Sequence, residues 1–267
     1  MTYDDIARRG LVLLGCGKMG SAMLAGWLAG GLPPASVHVL TPNPSDWLRG
    51  TGVNINGALP EDPAIALIAV KPQKMAEALP RLVPLGGGAT LFVSVAAGLT
   101  LARYEAMLGA GTPVVRAMPN TPSAVGRGIT ALVANRDVTE ADMQLAEALL
   151  SAVGETVRLE AEDQMDTVSA ISGSGPAYVF HLIEALAAAG IAEGLDPDLA
   201  MRLARATITG AGELAHQTPD TAEQLRVNVT SPGGMTAAGL AVLMADLPDL
   251  VHRTVRAAAD RGRELGA

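Results

Sequence analysis

The stretch that decides the fold runs from Leu11 to Gly20 and reads LVLLGCGKMG. Its first four residues are apolar. Gly15, Gly17 and Gly20 then follow in G-x-G-x-x-G spacing, just before the helical pattern MLAGWLAG. The first glycine allows a tight strand-to-helix turn, the second lets the backbone approach a pyrophosphate, and the third permits close packing of helix on strand. The stretch therefore favours a dinucleotide-binding loop over a plain glycine-rich turn.

Short apolar runs recur through the first 160 residues with helical patterns between most of them, which indicates βαβ units and a parallel sheet. The predicted strands are 11–14, 37–40, 65–70, 89–95, 114–118, 129–134 and 156–159. Helices are predicted over 73–82 and 100–108, and another from a Thr139–Asp142 capping box to about Val153. Strand ends that read AVKPQ, VSVAAG and AMPNTP should face the ligand crevice, where their small residues suit a flat ring.

After Glu160 the pattern changes to long, Ala-rich helical periods without a convincing strand. The predicted helices are 163–170, 176–193, 197–217, 222–227, 236–245 and 248–265. We therefore predict an α/β N-terminal Rossmann domain with a parallel sheet over residues 1–160, followed by an all-α domain over 161–267. The apolar helical part is a candidate oligomer interface.

Composition narrows the classes of partner. The net charge is -8 and the 19 basic residues are scattered, so there is no electrostatic footprint for nucleic acid or an anionic membrane. The N-terminus has no apolar signal region and no later run approaches a spanning length, which predicts a cytoplasmic protein. The single cysteine, Cys16, fits a reducing compartment, and the four dispersed histidines predict no metal site.

The end of the second strand bears on the choice of nicotinamide cofactor. An NAD-selective Rossmann unit places Asp or Glu there to hold the ribose 2′-hydroxyl, whereas this chain reads TPNPS. Thr41, Asn43 and Ser45 are neutral donors that could accept a phosphorylated ribose, so NADPH is favoured over NADH. An ordinary Asn-Pro turn is the alternative. Arg49 is too distant in sequence to be assigned, and Lys71 is either a ligand or a surface lysine.

A second glycine-rich stretch, NVTSPGGMTAAGL from Asn228 to Leu240, has the form of a helix start that can receive a small anion. Ser231 can cap the helix, Pro232 begins the turn, and the two following glycines leave N–H groups uncovered. On local grounds alone, a structural cap is the stronger interpretation. The hydroxyl of Thr236 follows at once, beside the expected anion.

Together these motifs closely resemble those of the pyrroline-5-carboxylate reductase family along essentially the whole chain. The matching segments, in order, are GCGKMG, AVKPQ, VSVAAG, AMPNTPSAVGRG, ISGSGPAY and NVTSPGGMTAAGL. Two features depart from the family pattern: Met235 stands where a smaller or hydroxylated residue is usual, and ten residues precede Leu11. Met235 leaves the shape of the pocket open.

The resemblance implies reduction of the cyclic imine 1-pyrroline-5-carboxylate to L-proline, the last step of proline biosynthesis, with hydride from NADPH or NADH. It also implies that the helical domain interlocks with a second subunit, so that the site borrows residues across a homodimer. A higher oligomer such as a decamer is left open.

The resemblance also assigns site residues. Those of the cofactor would be Gly15, Cys16, Gly17, Lys18, Met19, Gly20, Asn43, Asn56, Val70, Lys71, Pro72, Val95, Ala96, Ala97 and Asn228. The substrate carboxylate would lie on the N–H groups of Gly233, Gly234 and Thr236, with Ser231 nearby. Because a C=N carbon accepts hydride most readily when its nitrogen is protonated, a small donor is needed near that nitrogen, and Thr236 is the candidate.

Two alternatives belong to other functional classes. A 3-hydroxyacid dehydrogenase would need a lysine in the helical domain, but Lys18, Lys71 and Lys74 are the only lysines in the sequence. A non-catalytic NADPH-binding protein would explain the glycine loop yet leave the SPGGMT helix start without a purpose.

Overall fold

The computed structural model describes residues 3–266 and divides into two compact units. The first unit extends to Gly173 and includes the segment that begins at Ala259, whereas the second runs from Ser174 to Ala258. The units therefore divide later along the chain than residue 160, where the sequence pattern changes. The assignment of domains to 1–160 and 161–267 stays a prediction.

The first unit is built on an eight-stranded sheet of order β3-β2-β1-β4-β5-β6-β7-β8. The strands are β1 Leu11–Leu14, β2 Val37–Leu40, β3 Asn54–Ile55, β4 Ile65–Ile68, β5 Leu91–Ser94, β6 Val114–Met118, β7 Gly128–Ala134 and β8 Gly154–Arg158. All seven predicted strands are confirmed, and β3 is an addition. The order reverses direction around β1, which makes the carboxyl ends of β1 and β4 the ligand crevice of a Rossmann sheet.

The predicted parallel sheet is confirmed for β1 to β6, and at one edge β7 runs antiparallel to β6 while β8 runs parallel to β7. The segment between β6 and β7 holds only a short 3₁₀ helix, Thr121–Val125. A parallel crossover needs a dozen or more residues, so this shorter connection returns the chain in the opposite direction.

Seven short or medium α-helices lie wholly within the described part of the first unit. They are α1 Asp4–Arg9, α2 Lys18–Ala29, α3 Asp46–Arg49, α4 Met75–Ala78, α5 Leu101–Leu108, α6 Glu140–Leu150 and α7 Gln164–Val168. The Thr139–Asp142 capping box at the start of α6 is confirmed. The predicted continuous helix 73–82 is wrong: α4 is flanked by 3₁₀ turns, Pro72–Lys74 and Leu79–Arg81. Pro80 lacks an N–H, so it cannot donate the hydrogen bond that would continue the α-helical ladder through this position.

Apolar side chains cover both faces of the sheet. Along β1, Leu11 and Leu13 enter one buried cluster and Val12 and Leu14 enter the other, as expected for a strand whose side chains alternate between faces. Trp27 is fully buried and donates its indole N–H to the carbonyl of Leu149 at 2.8 Å. This double-sided burial holds the strand ends in fixed positions at the crevice.

The second unit is helical. It contains α8 Gly175–Ala192, α9 Pro197–Gln217, α10 Ala222–Asn228 and most of α11, which runs from Met235 to Gly266. The predicted break before Pro248 is wrong, since α11 continues through this proline. The ring removes one N–H donor from the helix ladder, and the remaining turns on both sides still form.

Several helical side chains of the second unit are apolar and exposed, including Val179, Phe180, Leu186, Leu203, Val242 and Leu250. Two helical stretches, Gln164–Ala192 and Met235–Leu265, are long and apolar enough to cross a membrane by length and composition alone. The prediction that no run approaches a spanning length is wrong by this criterion. Core helices of soluble proteins pass the same test, so the finding is weak evidence for a membrane protein.

Candidate functional site

The glycine loop joins β1 to α2 in the conformation that its three glycines permit. Gly15 has a φ of +93° and donates its N–H to Leu40 O at 2.8 Å, which ties the loop to the end of β2. A Cβ on Gly15 would lie 2.7 Å from the main-chain oxygen of Ala69, and one on Gly20 would lie 2.5 Å from Gly15 O. These two glycines therefore permit a close approach of backbone that any larger residue would prevent.

Gly17 differs from its neighbours, because a Cβ there would meet nothing within 4 Å. It occupies the N-cap of α2 with extended backbone, so its freedom is not needed for the fold. The space in front of it lies at a helix N-terminus, where uncovered N–H groups and the helix dipole favour a phosphate. The loop thus fits the pyrophosphate of a dinucleotide.

Asn56 closes the crevice next to β2. It has a φ of 53°, accepts the N–H of Thr41 at 3.0 Å and donates to Thr41 O at 2.8 Å. Its own N–H donates to Val39 O at 2.9 Å. The two-way amide bridge fixes the chain where it leaves β2, the place at which a Rossmann unit holds the adenosine ribose.

The cofactor residues named by the resemblance are all in the first unit except Asn228. Gly15, Cys16, Gly17, Asn56, Val70 and Lys71 line one cleft of about 440 Å³ at the ends of β1, β2 and β4. Pro72 and Ala97 line a second cavity of about 550 Å³. The first residues of α2 are Lys18, Met19 and Gly20. The segment after β5 contains Val95 and Ala96. Asn43 lies beyond the end of β2 and is exposed.

Buried polar contacts hold the turn after β5. The hydroxyls of Ser94 and Tyr104 lie 2.5 Å apart, and Ser94 Oγ also accepts the N–H of Ala96 at 3.3 Å. Burial raises the pKa of Tyr104, although its bond to Ser94 and the charge of Arg116 act in the opposite direction. The neutral phenol therefore acts as a structural partner for the turn.

Cys16 is partly buried inside the glycine loop. Burial raises the pKa of its thiol. A raised thiol pKa disfavours the reactive thiolate, so the loop does not activate Cys16 as a nucleophile.

The sequence interpretation missed two polar residues of β6 and the turn after it. Arg116 is buried and contacts Glu162 Oε1 through Nη1 at 2.7 Å. Asn120 accepts the N–H of Ile129 at 3.0 Å and donates to Ser172 O at 3.1 Å, within the π-helical turn Ser169–Gly173. A charged residue inside an otherwise apolar strand was the available signal for Arg116, because buried charges need partners.

The stretch proposed for the substrate carboxylate lies in the second unit, between α10 and α11. Gly233 has a φ of +71°, and Gly234 donates its N–H to Ser231 O at 3.0 Å. Helix α11 begins at Met235, so Gly234 occupies the N-cap and the prediction that Ser231 caps the helix is wrong. The turn itself consumes the N–H of Gly234, while the N–H groups of the first helical residues have no preceding turn to bond.

Thr236 lies in the first turn of α11 and is exposed, as is Ser231. The side chain of Met235 is 94% exposed. Asn228 is the last residue of α10, and its Oδ1 accepts a hydrogen bond from Gln224 at 2.7 Å. The chain thus presents a hydroxyl, a methionine side chain and uncovered N–H groups at one helix start.

Comparisons with family models divide the chain in a similar way. A model described as pyrroline-5-carboxylate reductase dimerisation matches residues 162–265. A model described as NADP oxidoreductase coenzyme F420-dependent matches residues 10–98, which include the glycine loop.

Individual proteins match over nearly the full length. The chain is 37% identical over 262 residues to a pyrroline-5-carboxylate reductase from Pseudomonas aeruginosa, with 96% of each chain covered. A solved pyrroline-5-carboxylate reductase from Coxiella burnetii matches with a TM-score of 0.91 and 34% identity, covering 97% of this chain and 99% of that one. A Plasmodium falciparum pyrroline carboxylate reductase, solved with NADP bound, matches with a TM-score of 0.82 and 30% identity over 98% and 99% of the two chains.

Proposed function

Because the chain belongs to the pyrroline-5-carboxylate reductase family, we propose that it reduces 1-pyrroline-5-carboxylate to L-proline with hydride from NAD(P)H, the last step of proline biosynthesis. The observation that carries this function is the full-length match to reductases together with a glycine loop that fits a dinucleotide. A 3-hydroxyacid dehydrogenase is not favoured, and no lysine follows Lys74 in the sequence to serve its chemistry. A non-catalytic binder is not favoured either.

The chain's own residues hold the cofactor in this proposal. Gly15 to Gly20 receive the pyrophosphate on the N-terminus of α2, and Asn56 together with Thr41 positions the ribose next to β2. Val70, Lys71 and Pro72 follow β4, while Val95, Ala96 and Ala97 follow β5; these small and apolar segments leave room for flat rings. A bound reduced nicotinamide supplies the hydride. Asn43 and Asn228 complete the proposed set.

The substrate is held by the start of α11. We assign its carboxylate to the N–H groups of Gly233 and Thr236, with Ser231 nearby, and Gly234 joins them once its bond to Ser231 O opens. A helix N-terminus stabilises an anion by about 0.3 to 1 kcal/mol, and by about 2 kcal/mol when partly buried. Hydrogen bonds to a charged group add about 1.5 to 3 kcal/mol each, so several of them give useful affinity without an arginine. The Thr236 hydroxyl donates towards the imine nitrogen.

The test follows the loss of NADPH absorbance, and then of NADH absorbance, with 1-pyrroline-5-carboxylate as the only acceptor and with proline identified as the product. We expect oxidation that depends on both reactants. A 3-hydroxyacid with NADP+ serves as the matched negative substrate. Turnover of the hydroxyacid, or cofactor binding without any oxidation by the imine, would overturn the proposal.

The match to the dimerisation model supports a homo-oligomer. We assign the homodimer contact to the apolar faces of α8, α9 and α11, whose exposed side chains include Phe180, Leu186 and Leu250. Covering such side chains contributes about 25 cal/mol for each Å² removed from water. The proposal also includes assembly of the dimers into a decamer. It places the protein in the cytoplasm, without nucleic-acid or membrane partners.

Light scattering on the purified protein tests the assembly. We expect a mass of at least twice the 27.2 kDa of one chain. Phe180→Asp, which places a charge on the exposed face of α8, should lower this mass, whereas Val125→Asp in the first unit should leave it unchanged. A monomer for the unsubstituted protein would contradict the dimer, and ten chains per particle would support the decamer.

A further inference from the structure

The cleft at the ends of β1, β2 and β4 carries positive charges that the glycine loop does not require. Lys71, Lys74 and Arg81 line it, all from the segment that follows β4. Thr41 and Pro42, at the end of β2, line the same cleft. A cationic wall therefore shares one cavity with the position at which a Rossmann unit holds the adenosine ribose.

The spacing of this segment explains why the charges share the cleft. The chain passes from the 3₁₀ turn Pro72–Lys74 through α4 to the 3₁₀ turn Leu79–Arg81. Lys74 ends the first 3₁₀ turn, Ala78 ends α4 and Arg81 ends the second 3₁₀ turn, so each of the three consecutive turns contributes one side chain. All three contribute to the cleft wall.

The balance of charge on this wall is positive. Among the described residues that line the cleft, Glu77 is the only acid, and its Oε2 lies 3.0 Å from Lys74 Nζ. Arg81 and Lys71 have no ion-pair partner among residues 3–266. With three cations against one carboxylate, the cleft has a surplus of two positive charges.

We propose that Lys74 and Arg81, balanced by Glu77, make this cleft selective for the phosphorylated cofactor, NADPH, over NADH. This inference rests on the proposed function and names residues for cofactor choice. A phosphate monoester carries a charge of about -1.5 to -2 at pH 7, which NADH lacks at its ribose. The cations stabilise that charge, and no acid at the end of β2 repels it. Arg81, unpaired and with a planar donor fork, suits a phosphate better than the paired Lys74 does.

The experiment measures dissociation constants of NADPH and NADH by fluorescence titration, without any imine substrate. We expect Arg81→Gln to raise the NADPH constant by about three- to tenfold and Lys74→Gln by about two- to fivefold, the range for partly exposed charge pairs. The NADH constant should stay within about twofold, because NADH has no 2′-phosphate. Glu77→Gln should act in the opposite direction and tighten NADPH, since it releases Lys74.

Two control variants distinguish an effect of the cleft residues on cofactor binding from an effect of the protein's net charge. Arg8→Gln removes an exposed cation from α1, which precedes β1 and so lies at the amino end of that strand, away from the carboxyl ends that form the cleft; it should change neither constant. Arg49→Gln removes the arginine nearest the end of β2 in sequence that does not line the cleft. Loss of NADPH selectivity in Arg49→Gln, with Lys74→Gln and Arg81→Gln unchanged, would overturn the proposal.

The unsubstituted protein gives an independent measurement that needs no variant. Raising the ionic strength from about 0.01 M to about 1 M shortens the Debye length from about 30 Å to about 3 Å, so the preference for NADPH should decrease. A preference that does not change with salt, or equal constants for both cofactors, would overturn the inference and leave the reductase function intact. Selective NADPH binding without imine reduction would instead overturn the reductase function alone.

Discussion

Glu162 Oε1 lies 2.7 Å from Nη1 of Arg116 and also accepts the main-chain N–H of Leu101 at 2.8 Å. One carboxylate oxygen therefore joins β6, the first turn of α5 and the segment that leads into α7. The side chain of Arg116 is only 7% exposed, whereas that of Glu162 is 28% exposed. The Nε of Arg116 is buried and has no hydrogen-bond partner among the described residues.

Removing the arginine should therefore cost stability. We expect Arg116→Ala to lower the free energy of unfolding by about 2 to 4 kcal/mol, because it leaves a partly buried carboxylate without its cation. Glu162→Gln should also lower the free energy of unfolding, because it leaves the more buried Arg116 guanidinium without its carboxylate, although its amide oxygen can still accept the N–H of Leu101. Urea unfolding at one fixed protein concentration measures both changes. Arg158→Ala removes an exposed arginine from the same unit and should cause a smaller loss; an equal loss would contradict the burial of the Arg116 pair.

The glycine loop offers a pair of substitutions with opposite expectations. Gly20→Ala should lower the free energy of unfolding by about 1 to 3 kcal/mol, because its Cβ would lie 2.5 Å from Gly15 O. Gly17→Ala should leave stability unchanged or raise it by up to about 1 kcal/mol, since nothing obstructs its Cβ and its φ is -80°.

Cofactor affinity then separates the roles of the two glycines. We expect Gly17→Ala to weaken NADPH binding at least about tenfold, because its methyl group fills the space for the pyrophosphate. Calorimetry on the folded variant measures this change. Unaltered affinity in a stable Gly17→Ala protein would show that the pyrophosphate lies elsewhere.

Asn56 combines an uncommon backbone conformation with a two-way hydrogen bond to Thr41. Asn56→Ala should lose about 1 to 3 kcal/mol of stability, because it removes both bonds and places Ala at a φ of 53°. Asn56→Gly should lose less, since glycine adopts positive φ without strain. Both variants should bind NADPH more weakly than the unsubstituted protein. Thermal unfolding and fluorescence titration measure the two effects, and a less stable glycine variant would contradict the backbone argument.

The fold was predictable where local patterns determine structure. Parallel strands such as β1 and β4 are buried on both faces, so they appear in the sequence as short, uniformly apolar runs. The apolar pattern of β7 itself does not report its reversal; the available signal was the short connection from β6, which leaves no room for a parallel crossover. Pro248 marks a lost hydrogen bond, but the sequence does not say whether the helix ends there or continues.

The sequence predicts the main-chain turns of the candidate site better than it predicts the positions of its charged side chains. Gly15 and Gly20 are recognisable in the sequence because only glycine fits their local geometry, and Gly17 completes the spacing of the motif before the helix. The pair of Arg116 with Glu162 joins residues 46 positions apart, and no local pattern reports such a contact. Lys74 and Arg81 are ordinary surface cations in the sequence, and only the folded segment places them in the cleft with Thr41.

The thiol of Cys16 should report occupation of the cleft. Burial raises its pKa above the ordinary value, so alkylation should be slower than that of a small thiol at the same pH and should keep accelerating as the pH rises through 9.0. Because the folded pKa is the higher one, the thiol's contribution to stability is present at low pH and is lost as the pH rises above the unfolded value. Mass spectrometry counts the single adduct. NADPH should slow the reaction, and equal rates with and without NADPH would place the cofactor away from Cys16.

Thr236 is the side chain proposed to donate near the imine nitrogen, so its hydroxyl should affect turnover more than binding. We expect Thr236→Ala to lower kcat by about ten- to a thousandfold, within or below the usual range for general acids because water can replace a hydroxyl. Thr236→Ser keeps the donor and should retain most of the activity. Thr254→Ala removes a hydroxyl on the same helix that donates only to Leu250 O, so kcat should be unaffected. Steady-state kinetics with saturating NADPH measures the change in kcat. Unchanged turnover in Thr236→Ala would exclude Thr236 as the donor.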